Sequence, residues 1–283
     1  MNGIFLVDKP EGITSFDVIR LLKKKFNLEK IGHAGTLDPF ATGLMIVLVG
    51  HATKLSSHFL LNDKTYETNI RFGQHTTTYD KTGEILKESN KPITKAMIEK
   101  VLPSLSHYFQ EPPMVSAIKV KGQKLYELAR KGKEIEREKR EVFLYKQEII
   151  NYDYPNLNMM LHVSKGTYIR SYAVDLSEQL GTFAHIEALR RIQSGRFHID
   201  SAKTLELITV DDLISIETLL EDYPKIVVTP YIQTLIKNGL ILDHRQFDQP
   251  SAFRVFNENK QLIAFYEPMN ANKYKIIFYN EAT

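Results

Sequence analysis

The run Leu44-Met45-Ile46-Val47-Leu48-Val49 carries neither charge nor turn residue, and such a run reads as a strand buried on both faces. The approach to it, within the stretch Ile31 to Gly50, is turn-rich: Gly32, Gly35, Asp38-Pro39 and Gly43. Pro39 biases Asp38 away from the helical region, and the glycines let the backbone fold tightly on either side. A carboxylate in a stiff loop at the mouth of a buried strand is well placed for chemistry. The same spacing also fits an acid that merely opens a turn and bonds to nearby amides.

Composition narrows the classes. With 283 residues, 43% hydrophobic and 25% charged, the chain is expected to be an ordinary globular protein of one large domain, or a large and a small one. It has no cysteine. That excludes disulfides, thiolate zinc sites, a thiol nucleophile and the His/Cys zinc deaminases of nucleobases. The first residues lack a signal peptide pattern and no apolar run is long enough for a membrane span, so a cytoplasmic protein without membrane contact is expected. A net charge of +3 and a pI near 8.7 are too mild to establish nucleic-acid binding. The basic residues nevertheless gather at Lys23 to Lys25, Lys119 to Lys133, Arg137 to Arg140 and Arg190 to Arg196. Each run alone is a solvated face, and an RNA partner requires several to converge.

Periodicity places the other elements. Ile4 to Val7 reads as a short strand ended by the turn Asp8-Lys9-Pro10-Glu11-Gly12, then a helix capped by Thr14 or Ser15 with Phe16, Ile19, Leu22 and Phe26 on one face. Ala52 to Leu61 reads as helical. From Lys64 to Phe72, Tyr66, Thr68, Ile70 and Phe72 share one face of an alternating strand. Gly73 to Gly83 is polar and turn-rich, so a surface loop is expected. A helix after Thr94 should break or bend at Pro103, and Pro112 to Arg130 predicts a strand, a tight turn and a basic helix. Leu157, Met159, Leu161 and Val163 alternate on a strand that leads to Tyr168 and Arg170, followed by a helix that Gly181 stops. From Pro224 the texture becomes short alternating strands with Asn-rich turns. The expectation is an α+β protein, with a catalytic domain over 1–223 and a small β-rich domain over 224–283.

Several separated strings, in order, resemble the bacterial tRNA pseudouridine-55 synthases, the TruB type. Gly35-Thr36-Leu37-Asp38-Pro39-Phe40-Ala41-Thr42-Gly43-Leu44 is similar to the GxLDPxATGLL signature, and Lys9-Pro10-x-Gly12-x-x-Ser15 to KPxGxxS. Asp63-Lys64-Thr65-Tyr66 matches a D-K-x-Y context, and Ser164 to Ser171 matches SKGTYIRS. Pro112 to Arg130 resembles PPxxSAxKxxGxxxYxxAR with Val115 where tyrosine is common, and Ala184 to Phe197 resembles AHxxxLRRxxxGxF. One departure is Thr76-Thr77-Thr78, where the family usually has an Asp between two threonines, although Asp80 and Gly83 match.

The resemblance implies a pseudouridine-synthase-like fold: a mixed, mainly antiparallel sheet flanked by helices, a central RNA-binding cleft, and a PUA-like RNA-binding tail. It implies isomerisation of a flipped-out uridine in the T-loop of tRNA, at position 55, by a monomer. Asp38 would be the catalytic residue, paired with Arg170, with Arg170 and Tyr66 completing the catalytic set. Tyr66 would pack on the uracil, Tyr168 border it and Leu189 close over it, with His33 stacking on a nucleotide and Lys9 on the substrate side. On residues alone, Tyr66 and Leu189 read as core, Lys9 as a turn lysine, and Arg170 as a helix-start residue paired with a structural acid such as Asp175. A carboxylate beside an arginine is expected to stay ionised at neutral pH. Ionised Asp38 could attack the ribose, add to the uracil ring or remove a ribose proton. The chain has no Gly-rich phosphate loop, dinucleotide fingerprint or His/Glu metal spacing, so neither cofactor nor metal is expected. The alternative is a non-catalytic RNA-binding or tRNA-folding protein using the same cleft. Retention of Asp38, Tyr66 and Arg170 together argues for the enzyme.

Overall fold

The apolar run forms the strand Thr42–Val49, buried at every residue except the first. One edge pairs antiparallel with Gly3–Lys9. The other edge is shared: Ile31–Ala34 pairs along Ile46 to Val49, whereas Ala184–Ser194 pairs in parallel at Thr42 and Gly43. The loop 35–41 leaves the first of these strands and returns to Thr42, so it fills the fork between the two pairings.

This is the computed structural model of the chain, which describes residues 1–115, 119–120, 123–124, 135, 137–269 and 272–280, with 119, 120, 123 and 124 as backbone alone. The main sheet runs, in order, Ile214–Ser215, Gly3–Lys9, Thr42–Val49, Ala184–Ser194, Lys64–Phe72, Asn156–Val163, Arg140–Asp153 and His107–Gln110. Every neighbouring pair on this path is antiparallel except the join of Thr42–Val49 to Ala184–Ser194. The mixed, mainly antiparallel α+β architecture is the one expected.

Helices cover the sheet where the apolar faces demand it. Helix Ile169–Gln179 lays Ile169, Tyr172, Ala173, Leu176 and Leu180 on Tyr66, Ile70, Phe72, Leu157 and Met159. Helix Ser15–Lys25 begins with a capping box between Thr14 and Asp17 and buries Val18, Ile19 and Leu22 against Phe5, Val7, Met45 and Val47. Phe16, expected on the buried face, is 71% exposed. The buried phase is set by Ser15, Val18, Ile19 and Leu22, and Phe16 lies one residue out of step with it. Helix Lys95–Val101 gives way at Pro103 to a tighter turn, Leu102–Leu105, as a missing amide there requires. Most of the segment from Pro112 to Arg130, on which the basic helix and Tyr126 were expected, lies outside the described residues. Among the described residues, no helix is long and apolar enough to cross a membrane.

A second sheet orders Lys225–Val227, Phe253–Phe256, Leu262–Pro268, Lys273–Tyr279 and Leu242–Asp243. It shares a core with the main sheet. Phe256, Leu262, Phe265 and Phe278 pack in one cluster with Ile4, Leu6, Leu44, Ile46 and Leu48. The tail thus covers the face of the central strand opposite helix Ser15–Lys25. Phe265 is fully buried there, edge-on to Tyr223 at 4.8 Å. Phe265→Ala should cost about 3–5 kcal/mol. The loss should read out as a lower denaturation midpoint for the whole molecule, and an unchanged midpoint would show that the shared core carries no stability.

Candidate active site

The loop that carries Asp38 is fastened from below. The Ser15 hydroxyl accepts from the Leu37 amide at 2.8 Å and donates to the Leu37 carbonyl at 2.9 Å. The Gly12 amide donates to the Pro39 carbonyl at 2.9 Å, while Leu37, Phe40 and Ala41 enter the main core. Lys9 is fully buried, and its ammonium donates to the carbonyls of Pro10 at 2.8 Å and Pro39 at 3.3 Å. Burial pushes that ammonium down to about 8, against the pull of Asp38. Lys9, Gly12 and Ser15 are therefore the loop's scaffold. Lys9 holds the Pro39 carbonyl rather than lining the cavity beside Asp38.

Arg170 arrives from the other side, at the start of helix Ile169–Gln179. Its Nε lies 2.9 Å from Asp38 Oδ2, and the guanidinium is 3% exposed. Nη1 donates to the Thr78 carbonyl at 3.0 Å and faces Asp80 Oδ2 at 3.6 Å, while Nη2 donates to the Val115 carbonyl at 2.9 Å. Every nitrogen of the fork has an acceptor, as burial of a guanidinium requires. Asp175 is not its partner. That carboxylate accepts from the Tyr108 hydroxyl at 2.7 Å, and burial pushes it up to about 6.

The segment 73–83 is largely the turn-rich, exposed to half-buried stretch expected, but Asp80 within it is buried. Its Oδ1 accepts from the hydroxyls of Thr78 at 2.7 Å and Thr82 at 2.5 Å and from the Thr82 amide at 3.0 Å. A single carboxylate can be buried when its neighbours satisfy it in this way. The oxygen left over faces Arg170.

Beside the pair lies a cavity of about 270 Å³ whose wall includes Asp38, Lys64, Tyr66, Tyr168, Arg170, Leu189 and Arg191. Tyr66 and Leu189 are at once core residues and wall residues. The Tyr168 amide donates to Gln110 Oε1 at 2.7 Å, which fixes the backbone where that residue borders the cavity. His33 is half-buried on Ile31–Ala34, outside this wall, and burial together with nearby Arg191 lowers its pKa. Asp38 keeps 34% of its side chain exposed, yet the protein packed around the carboxylate raises its pKa. Desolvation is the largest cause and Asp80 adds to it, while Arg170 and Lys9 pull the other way. Arg170 therefore favours the ionised carboxylate, as expected, while desolvation by the surrounding protein works against it.

Three wall or clamp residues were not singled out from the sequence: Asp80, Lys64 and Arg191. Asp80 matches the resembling family's pattern, and strand phase signals the other two. Lys64 is in phase with Tyr66, Ile70 and Phe72 on the alternating strand, and Arg191 is in phase with Leu189 and pairs across from Tyr66. A cation in the buried phase of a strand has to be accounted for.

A mixed sheet with an aspartate loop in its central fork, an arginine clamp and a tyrosine-walled cavity can be set beside known proteins. The TruB family pseudouridylate synthase (N terminal domain) model matches residues 23–169, and the tRNA pseudouridylate synthase B C-terminal domain model matches 170–236. Proteins named tRNA pseudouridine synthase B are similar over nearly the whole chain. That of Onion yellows phytoplasma is 43% identical over 97% of this chain and 98% of that protein. That of Acholeplasma laidlawii is 43% identical over 98% and 99%, and that of Chlamydia pneumoniae 46% identical over 84% and 97%. The fold is shared with a solved Cbf5-Nop10-Gar1 complex at a TM-score of 0.70, with 23% identity, 98% of this chain and 85% of that chain covered. The chain belongs to the TruB family of pseudouridylate synthases.

Arg170→Ala would leave the buried Asp80 carboxylate facing Asp38 without a cation. The expected cost at neutral pH is about 3–5 kcal/mol. The sign of its pH dependence follows. Arg170 pulls the Asp38 carboxyl down, so without it Asp38 holds its proton more tightly in the folded state, and the variant's deficit against the parent should shrink as pH falls. A deficit that stays constant in denaturant titrations from neutral to acid pH would contradict this.

Proposed function

We propose that the protein isomerises a uridine in the T-loop of tRNA, at position 55, to pseudouridine, with Asp38 as the catalytic residue. The observation that carries this reading is the Asp38 carboxylate on the wall of a cavity shared with Tyr66, Tyr168 and Leu189, its Oδ2 2.9 Å from the Arg170 guanidinium. The name common to the relatives supports tRNA as substrate.

The reaction breaks the bond from ribose C1′ to uracil N1 and makes one from C1′ to C5. The C5 hydrogen leaves as a proton, N1 takes one up, and no electrons are exchanged. A base can reach the cavity only by leaving its stack, at a cost of about a few kcal/mol that contacts in the pocket offset. In this reading Tyr66 packs on the uracil, Tyr168 borders it and Leu189 closes over it. Arg170 holds the Asp38 carboxylate toward the base. His33, with its pKa lowered, is suited to stacking on a displaced nucleotide rather than to pairing with phosphate. Attack on ribose, addition to the ring and removal of a ribose proton are all open to the carboxylate.

The reading extends to a monomer in the cytoplasm, with chemistry in residues 1–223 and residues 224–283 adding RNA surface. Since the tail also completes the core around Leu44 and Ile46, it supports the catalytic fold as well.

Asp38→Asn keeps the shape of the side chain and removes its charge. Tritium release from a T-stem-loop hairpin labelled at uracil C5 should be lost, with binding of the hairpin largely kept. Turnover within about tenfold of the parent, a barrier change of only about 1.4 kcal/mol, would sink the assignment.

The raised pKa of Asp38 sets the acid side of the pH profile. Its proton stays on to a higher pH than that of a free aspartate, so the ionised form is lost sooner as pH falls. The acid limb of kcat/KM should therefore bend above the ordinary aspartate value of about 4. A limb at or below that value would mean that the pairing with Arg170 outweighs the dryness of the site.

A further inference from the structure

Arg170 is matched by Asp38, but two other cations on the same wall have no such partner. Lys64 is 8% exposed and Arg191 is 2% exposed. Among the described residues neither has a carboxylate at ion-pair distance, whereas Arg170 and Arg190 both do. Their fixed contacts are to neutral carbonyls. The Lys64 ammonium donates to Leu60 at 3.0 Å and to Asn62. Arg191 Nε donates to Leu44 at 2.6 Å and Nη2 to Gly35 at 3.3 Å. These bonds place the side chains without neutralising them.

The charge of Arg191 is felt all round it. It works against the protonation of Lys9, His33 and Lys64, which stand on three different strands. Burial and Arg191 together push Lys64 down to about 8, with Asp63 pulling the other way. Crowding like charges in a dry site is costly unless an anion arrives to meet them. Leaving aside the Asp38–Arg170 pair, the charged side chains of this wall are cationic, and they border the cavity that takes the base in the reading above.

We propose that Lys64 and Arg191 form a phosphate site in the cavity wall, which holds a phosphodiester adjoining the target uridine. This rests on the reading above that the substrate is RNA. A nucleotide cannot enter the cavity without bringing its ribose and flanking phosphates to the mouth. The phosphate oxygens then supply the counter-charge that the protein withholds. Lys64 contributes a point charge, and Arg191 a planar donor already fixed by two carbonyls. The site also gives the flipped state a contact that a stacked uridine lacks, so its binding energy favours extrusion of the base.

The test pairs a change in the RNA with a change in the protein. T-stem-loop hairpins carry one uncharged methylphosphonate, either 5′ or 3′ of the target uridine, with a third hairpin modified in the stem as control. Equilibrium binding is measured with the parent protein, Lys64→Gln and Lys64→Arg. One of the two flanking methylphosphonates should weaken binding to the parent about tenfold more than the stem control. Lys64→Gln should weaken binding of the unmodified hairpin by a similar factor and lose little more on that methylphosphonate, and Lys64→Arg should restore most of the affinity. Parent binding that is indifferent to both flanking methylphosphonates, or losses that multiply in full, would overturn the site. The RNA arm stands even if a variant fails to fold. Because the readout is binding, a hairpin that couples to Lys64 but is never isomerised would count against the uridine chemistry and not against the phosphate site.

Discussion

Arg170 is the interaction on which the site depends. A guanidinium that is 3% exposed is tolerable only when each of its nitrogens meets an acceptor, and here the acceptors come from three separate stretches of chain: Asp38, the Thr78 and Asp80 segment, and Val115. This fixes the loop, the buried turn and the start of helix Ile169–Gln179 relative to one another. It also places Asp38, the carboxylate among the described residues lining the cavity, where desolvation raises its pKa. The raised pKa of Asp38 and the pull of Arg170 are consequences of the same burial, acting in opposite directions.

The second constraint is the fork in the central strand. Where Ile31–Ala34 and Ala184–Ser194 share an edge of Thr42–Val49, the carbonyls of Leu44 and Gly35 accept from Arg191. Gly43 sits so close to the neighbouring strand that a Cβ would lie 2.3 Å from the Arg191 carbonyl oxygen, and its φ of +103° lies in the region that favours glycine. The chain can therefore turn out of the sheet at Gly35, expose Asp38 and re-enter at Gly43. The same arginine that closes the fork brings unneutralised charge to the cavity wall, so one residue links the architecture to the capacity for an anion.

Much of this was legible in the sequence, for reasons that differ by residue. The buried strand, the alternating strands Lys64–Phe72 and Asn156–Val163 and the helix after Tyr168 follow from periodicity. Asp38, Tyr66, Tyr168, Arg170 and Leu189 were named through resemblance, and they meet at one cavity. What escaped was burial of polar groups. Lys9 reads as a turn lysine, yet it is fully buried because the carbonyls of Pro10 and Pro39 accept its protons. Asp80 sits in a stretch whose composition predicts a surface loop, and its bonds to Thr78 and Thr82, with Arg170 facing its other oxygen, allow it inside. Such satisfaction is a property of three-dimensional partners, and no period in the sequence encodes it. The phase of helix Ser15–Lys25 escaped for a related reason: Ser15 is buried by its two bonds to Leu37, and this turns Phe16 outward.

The central claim is that this fork and clamp present Asp38 to a uridine taken out of its stack. The most direct measurement is a crystal structure of the Asp38→Asn protein bound to a T-stem-loop hairpin. The account predicts the target base extruded into the cavity against Tyr66, under Leu189, with residue 38 beside its ribose and ring. A target base still stacked in the RNA loop, or lodged in a different cavity with residue 38 out of contact, would contradict it.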